Sequence, residues 1–213
     1  MIKILLADDH SIVRTGLKIF LEKLIADSII DEAWDGETTY RKIEVSNYDL
    51  IILDVNMPET DSFKLVTDIL GLKPEAKILM FTMNAEEVYA KKFLQMGAMG
   101  YLNKGSSETE IKNAIEHVLN NRKYLSPTLN QQLTEEALNG KKTSNPFDNL
   151  SPREFEIVQH LIKGESVAEI SSKLNLHSST IGTHKTRIFN KLHCSNIIDI
   201  NLLAKIHKVI PQT

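Results

Sequence analysis

The side chains best suited to chemistry in this chain stand at the ends of short apolar runs. Ile4-Leu-Leu-Ala7 leads into Asp8-Asp9, and Leu50-Ile-Ile-Leu53 leads into Asp54. Residues 77–82 end on Thr82, and Gly100-Tyr-Leu-Asn103 is followed by Lys104. An unbroken apolar run is what a strand buried on both faces of a parallel sheet requires. Open parallel sheets place their chemistry in the crevice outside the carboxyl ends of the strands. Neighbouring strands would therefore gather three carboxylates, a hydroxyl and an ammonium on one edge. Carboxylates so crowded repel, and a hard divalent cation with oxygen ligands, Mg²⁺, relieves the repulsion. The hydroxyl and the ammonium add a donor and a charge for phosphoryl oxygens. The chemistry implied is nucleophilic: one carboxylate attacks phosphorus to give a mixed anhydride while the cation offsets the growing charge. Asp54, on the middle strand, is best placed to be that nucleophile. Singly, each group has a plainer explanation, as a helix cap, a packed hydroxyl or a solvated lysine. Their coincidence at strand ends carries the reading.

The elements that must position these groups alternate. Strands are expected at residues 2–7, 28–34, 50–53, 77–82 and 100–103, and helices at 10–24, 37–45, 61–72, 85–96 and 108–119. Each helix shows apolar residues at helical spacing, as in Ile12, Val13, Leu17, Phe20, Leu21 and Leu24. Five strand-then-helix repeats predict an α/β fold, a five-stranded doubly wound parallel sheet over residues 1–121. Residues 122–149 read as a linker with a helix starting at Ser126-Pro127 and reaching about Leu138, then a polar, breaker-rich stretch, Lys141-Lys-Thr-Ser-Asn-Pro146.

Residues 150–213 read as helices only. Ser151-Pro-Arg-Glu154 and Ser166-Val-Ala-Glu169 are capping boxes. A turn at 175–177 separates a short helix from a longer one that Ser178 is expected to cap, and Ser195 is expected to cap the last. Two helices joined by a tight turn predict a helix-turn-helix. In the second of them, Ile181, Ile188 and Leu192 would face the core. That leaves Gly182, Thr183, Lys185, Thr186, Arg187 and Lys191 outward. Between Ile170 and Ile198 there is no acidic residue, as a surface that meets phosphates requires. Small residues at Gly182, Thr183 and Thr186 would let the helix sit close in the major groove of double-stranded DNA. Thr180, Lys185, Arg187 and Lys191 are candidates for phosphate contacts. A solvated basic face on a protein-binding bundle is the plainer alternative.

Composition agrees with two jobs. Residues 1–123 carry 20 acidic against 15 basic side chains, and residues 150–213 carry 5 against 8, within a net charge of -3. The single cysteine, Cys194, excludes an internal disulfide and points to a reducing, cytoplasmic setting. No stretch approaches the length of a membrane span, so no membrane partner is expected.

At these motifs the chain resembles a known family. Asp8-Asp9, Ile52-Leu-Asp-Val-Asn-Met-Pro58, Thr82 and Gly100-Tyr-Leu-Asn-Lys104 look like the receiver domain, flavodoxin-like in fold, of bacterial two-component response regulators. Leu150-Ser-Pro-Arg-Glu154, Ala168-Glu-Ile170 and Ser179-Thr-Ile-Gly-Thr-His184 look like the LuxR-type helix-turn-helix of the NarL/FixJ branch. The resemblance implies that a partner histidine kinase phosphorylates Asp54. It implies that Asp9, Asp54 and the main-chain carbonyl of Asn56 ligate Mg²⁺, with Asp8 acting through water. Thr82 and Lys104 would contact the phosphoryl oxygens, and Tyr101 would be the switch aromatic that reports the position of Thr82. A homodimer on two half-sites, supported by the last helix, is also implied.

Departures from the family pattern carry their own expectations. Ser62 replaces a usual glycine, implying a stiffer loop; Gly105 follows Lys104 and implies a looser one. Gly182 replaces a usual basic residue, which removes a guanine reader. Two alternatives are a regulator that works without phosphorylation, and a Mg²⁺-dependent phosphohydrolase with an aspartyl-phosphate intermediate. The second would need an acid/base aspartate where Asn56 stands. The chain is therefore expected not to be an enzyme.

Overall fold

A computed structural model describes residues 1–139, 145–174, 176–207 and 209, the side chains of 136, 137 and 139 excepted. Residues 141–144 of the polar stretch expected at 141–146, and position 175 of the expected turn, lie outside the described residues. The chain divides into two compact units, Met1–Thr134 and Glu135–Thr213.

In the first unit five strands, β1 (Ile2–Ala7), β2 (Ser28–Ala33), β3 (Leu50–Leu53), β4 (Ile78–Thr82) and β5 (Gly100–Asn103), alternate with five helices. These are α1 (Ser11–Leu24), α2 (Gly36–Val45), α3 (Ser62–Leu72), α4 (Glu86–Met96) and α5 (Glu108–Leu119). The sheet is parallel throughout, in the order β2-β1-β3-β4-β5. Every residue of β3 and β4 is buried, as strands covered by helices on both faces must be. One core layer joins Ile4, Leu6, Leu50, Ile52, Leu79 and Phe81 of the sheet to Leu17 and Leu21 of α1 and Ile115 and Val118 of α5. Chain order reverses between β1 and β3, so the crevice beyond their carboxyl ends is the topological switch point.

The segment after α5 does not leave this unit at once. The Tyr124 N–H donates to the Met99 carbonyl at 2.8 Å, and Tyr124 bridges Gly100 in parallel fashion along the free edge of β5. A Cβ on Gly100 would stand 3.1 Å from Tyr124 Cβ and 2.9 Å from Leu79 Cδ1, so the close approach requires glycine. Helix α6 (Pro127–Asn139) follows, with Leu129 buried. The sequence boundary at 121 thus falls ahead of residues that still pack on the first unit.

In the second unit a 3₁₀ turn (Pro146–Asn149) precedes α7 (Pro152–Ile162), α8 (Val167–Lys173), α9 (Ser178–Leu192) and α10 (Ile197–Ile206). Both expected capping boxes form, Ser151 with Glu154 and Ser166 with Glu169. Two expected caps shift. His177, not Ser178, is the extended residue before α9, without a side-chain cap. Asn196, not Ser195, caps α10 by accepting from the Asp199 N–H at 2.9 Å. A cap needs extended φ/ψ as well as an oxygen, and the preceding loop decides which residue has it.

Candidate functional site

The sheet hydrogen bonds run one residue past the ends of β1, β3 and β5 and so align the polar groups. Asp8 N–H donates to the Ala33 carbonyl, Asp54 N–H to the Ala7 carbonyl at 2.8 Å, and Lys104 N–H to the Thr82 carbonyl at 2.9 Å. Asp8 and Asp54 therefore sit in adjacent rows, and the two residues are 5% and 2% exposed. Lys104 reaches across from the β5 side. Its Nζ lies 2.8 Å from Asp54 Oδ2 and 2.6 Å from Asp8 Oδ2. Burial by itself would lower the Lys104 pKa, but the hydrogen bonds and charges of Asp54 and Asp8 outweigh it and hold the ammonium above its ordinary value.

The second oxygen of Asp54, Oδ1, is buried and meets no hydrogen-bond partner among the described residues. Ligand atoms from Asp8, Asp9, His10 and Asp54 all lie within 4.8 Å of one another, a span that one cation can bridge. A buried anionic oxygen without a donor, beside two further carboxylates, fits a hard divalent ion such as Mg²⁺.

Thr82 is fully buried, and its Oγ1 accepts from the Asn84 N–H at 3.4 Å. Tyr101 is fully buried as well. Its hydroxyl donates to the Asn84 carbonyl at 3.1 Å, and its ring stacks on Phe93 of α4. Burial drives that phenol's pKa far up, so it stays a donor. Asn56, exposed at the mouth, exchanges two amide hydrogen bonds with Asn84, at 3.0 and 3.4 Å.

The loops differ from expectation in one respect. Ser62 donates to the Val55 carbonyl, which ties the start of α3 to the chain just beyond Asp54. The loop after Lys104 is not loose: Asn103 Oδ1 accepts from the Gly105 N–H at 2.8 Å, and the Asn103 carbonyl accepts from Ser106. A glycine flanked by an asparagine that caps its own turn is held by that side chain.

Two residues near the site escaped the sequence reading. Arg14 Nη1 donates to the Asp8 main-chain carbonyl at 2.6 Å while its Nε pairs with Glu32. His10 Nδ1 lies 2.8 Å from Asp9 Oδ1. His10 directly follows the acidic pair and Arg14 lies one helical turn on, so adjacency was the available signal.

In the second unit Ile170, Leu174, Ile181, Ile188 and Leu192 are buried together, which orients α9. Thr183, Thr186 and Arg187 are exposed; Thr180, Gly182 and Lys185 are half-buried. The hydroxyls of Thr183 and Thr186 donate back to the Ser179 and Gly182 carbonyls. Lys185 Nζ stands 5.6 Å above the Phe189 ring. Lys191 differs from the rest, because its Nζ donates to Glu154 Oε2 at 2.6 Å and so joins α9 to the cap of α7. Ser179 and Asn190, also exposed on α9, were not foreseen. His184 is half-buried, its Nδ1 meets no hydrogen-bond partner among the described residues, and burial lowers its pKa, in keeping with a packing role.

Among the described residues no helix is long and apolar enough to cross a membrane. Residues 4–116 match the response regulator receiver domain, and residues 148–204 match the bacterial regulatory proteins of the luxR family. The chain is 33% identical to the response regulator UvrY of Escherichia coli, over 97% of its own length and 95% of that protein's. It is 32% identical to the response regulator GacA of Pseudomonas aeruginosa, over 99% and 98% of the two lengths. Among solved structures it superposes on RcsB from Salmonella enterica serovar Typhimurium, bound to a promoter in the presence of phosphomimetic BeF3-. That likeness has a TM-score of 0.76 at 25% identity and covers 96% of this chain and 98% of the other. A parallel receiver sheet, a luxR-type helix-turn-helix and full-length relatives of that kind lead to one conclusion: the chain belongs to the NarL/FixJ family of two-component response regulators, DNA-binding transcription regulators and not enzymes.

Proposed function

We propose that Asp54 accepts a phosphoryl group from a partner histidine kinase, and that its phosphorylation controls binding of the second unit to an operator. The observation that carries this is Asp54 itself: a buried carboxylate with one oxygen on Lys104 and the other, Oδ1, without a donor. Asp54 attacks phosphorus as the P–N bond of the kinase phosphohistidine breaks, and the new P–O bond makes an acyl phosphate. Mg²⁺, held by Asp9, Asp54 and the Asn56 carbonyl with Asp8 acting through water, would supply charge neutralisation of the phosphoryl oxygens. Lys104, already at hydrogen-bond distance from Asp54, moves its ammonium onto one of those oxygens, and Thr82 donates its hydroxyl to another. Tyr101 then follows Thr82, since both are tied to Asn84.

On the output side Gly182, Thr183 and Thr186 face the major groove, and Thr180, Lys185 and Arg187 take phosphates. Lys191 serves first as the tether to Glu154, and any phosphate contact is a second use of it. The exposed apolar row of α10, Ile198, Leu202 and Ile206, supports pairing of two copies on DNA. The RcsB structure named above, a relative bound to a promoter with a phosphomimetic, supports the same link between input and output. A protein that meets DNA and a kinase in this way acts in the cytoplasm.

The test is to incubate the protein with acetyl phosphate and Mg²⁺ and weigh it intact. A gain of one phosphoryl mass that disappears in Asp54→Asn is expected. No uptake would favour a regulator that works without phosphorylation.

A further inference from the structure

We propose that Arg153 is a positioning residue for DNA binding. It aims α9 by holding the Leu174 carbonyl at the end of α8, and it touches no DNA itself. The inference rests on the reading of α9 as the helix that meets DNA, and concerns only what directs it.

Arg153 stands in the first turn of α7, inside the capping box of Ser151 and Glu154. Its Nη2 donates to the Leu174 carbonyl at 2.9 Å, across 21 residues of chain. Its Nη1 donates to Glu156, a residue only 4% exposed. Leu174 closes α8 and is buried as well. The last carbonyls of a helix have no partner within it, so a buried one takes its donor from elsewhere. A guanidinium offers donors in a rigid planar fork, and one braced on a carboxylate delivers the other arm in a fixed direction.

Beyond Leu174 the chain turns into α9, which begins without a side-chain cap at His177. The turn is gripped from α8 instead. The Ser171 carbonyl accepts from the Leu176 N–H at 3.0 Å, and the Ser171 hydroxyl donates to the Leu176 carbonyl. Fixing the end of α8 therefore fixes the start of α9. The other end of α9 is tied to the next residue of the same α7 turn, where Lys191 Nζ meets Glu154 Oε2 at 2.6 Å. Neighbouring residues of one helix thus hold both ends of another that is 15 residues long. Over its length of roughly 21 Å, a tilt of about 5° displaces the far end by about 2 Å. Hydrogen bonds to base edges do not survive such a shift, whereas long basic side chains follow phosphates through it.

The experiment uses the full chain and two duplexes of equal length, one enriched by wild type from a random pool and one unrelated. Affinities are measured over a range of salt, with folding checked by circular dichroism. Arg153→Met keeps the aliphatic stem and removes the donors. Arg153→Lys retains a charge beside Glu156 without the fork, and keeps the test readable should Arg153→Met not fold. Each should lower the preference for the enriched duplex about tenfold, the size of one lost base contact. The slope of log affinity against log salt on the unrelated duplex should stay that of wild type. A slope smaller by about one in Arg153→Met and restored in Arg153→Lys would make Arg153 a phosphate contact. A lower Tm with unchanged preference would make it a brace for the fold alone, and either result overturns the proposal. Affinity and slope both unchanged in Lys185→Ala would overturn the reading of α9 instead.

Discussion

Lys104 and Asp54, separated by 50 residues in the chain, meet at 2.8 Å in a place where the carboxylate is 2% exposed. The ammonium also touches Asp8, so one cation balances two buried anions in the resting protein. Lys104→Ala should then cost about 3–5 kcal/mol, the usual result of leaving a buried charge uncompensated. Saturating Mg²⁺ should return a larger share of that loss to the variant than it adds to wild type, because the ion then supplies the missing charge. Urea denaturation with and without Mg²⁺ reads both effects. Equal stability of variant and wild type without the ion would refute the charge balance.

Glu86, first residue of α4, accepts from the Ser126 hydroxyl at 2.6 Å, and Ser126 in turn caps α6 by accepting from Leu129 N–H. Burial is the main reason its carboxyl lies above the ordinary 4.5, with Ser126 opposing and Glu87 and Glu110 adding to it. A carboxyl raised in the folded state binds its proton more tightly there than when unfolded. Its contribution therefore favours folding at acid pH and is lost as pH climbs through the window above 4.5. Glu86→Gln keeps the acceptor and removes the charge. It should stabilise the first unit at about pH 7 and make no difference near pH 4. A Tm gain that is the same at both values would contradict this account.

Gly182 sits inside α9, and a Cβ there would meet no atom of the described residues within 4 Å. Gly182→Ala should raise the stability of α9 by about 1 kcal/mol. If the helix enters a major groove, the added methyl should also weaken operator binding. Thermal melts and DNA titrations on one preparation decide it: a variant more stable and equally tight on DNA would remove Gly182 from the interface.

Lys185 and Lys191 should separate in their salt dependence. Lys185→Ala is expected to weaken binding to all sequences and to reduce the slope of log affinity against log salt by about one. Lys191→Ala should alter the slope less and the stability more, because Lys191 holds Glu154. Burial alone would raise the Glu154 carboxyl, but Lys191 and Ser151 outweigh it and set it below 4.5. Stability from that pair is present above 4.5 and is lost as pH falls through the lowered value, so the effect of Lys191→Ala should vanish in acid.

Ile198, Leu202 and Ile206 recur every fourth residue on α10 and are 78%, 62% and 65% exposed. Leu202→Glu places a charge in the middle of that row. Sedimentation of the phosphorylated protein on an operator with two half-sites should then show one copy bound where wild type shows two. Undisturbed pairing would locate the dimer contact elsewhere.

Much of the molecule was determined by the sequence alone. Apolar runs of strand length, helical spacing and the boxes at Ser151 and Ser166 are local patterns, and a local pattern states which face an element buries. The same patterns located Asp8, Asp54, Thr82 and Lys104 at strand ends, because a strand end is read from the run before it. The caps at Ser178 and Ser195 and the loop at Gly105 went otherwise, since each depends on φ/ψ set by neighbouring turns. Only the tertiary structure decided how long side chains chose partners. Lys104 goes to Asp8 and Asp54, Lys191 to Glu154, and Tyr124 runs along the edge of β5. A lysine reaches several candidate acceptors with equal ease, and which of them stands within 3 Å depends on topology that joins residues far apart in the chain.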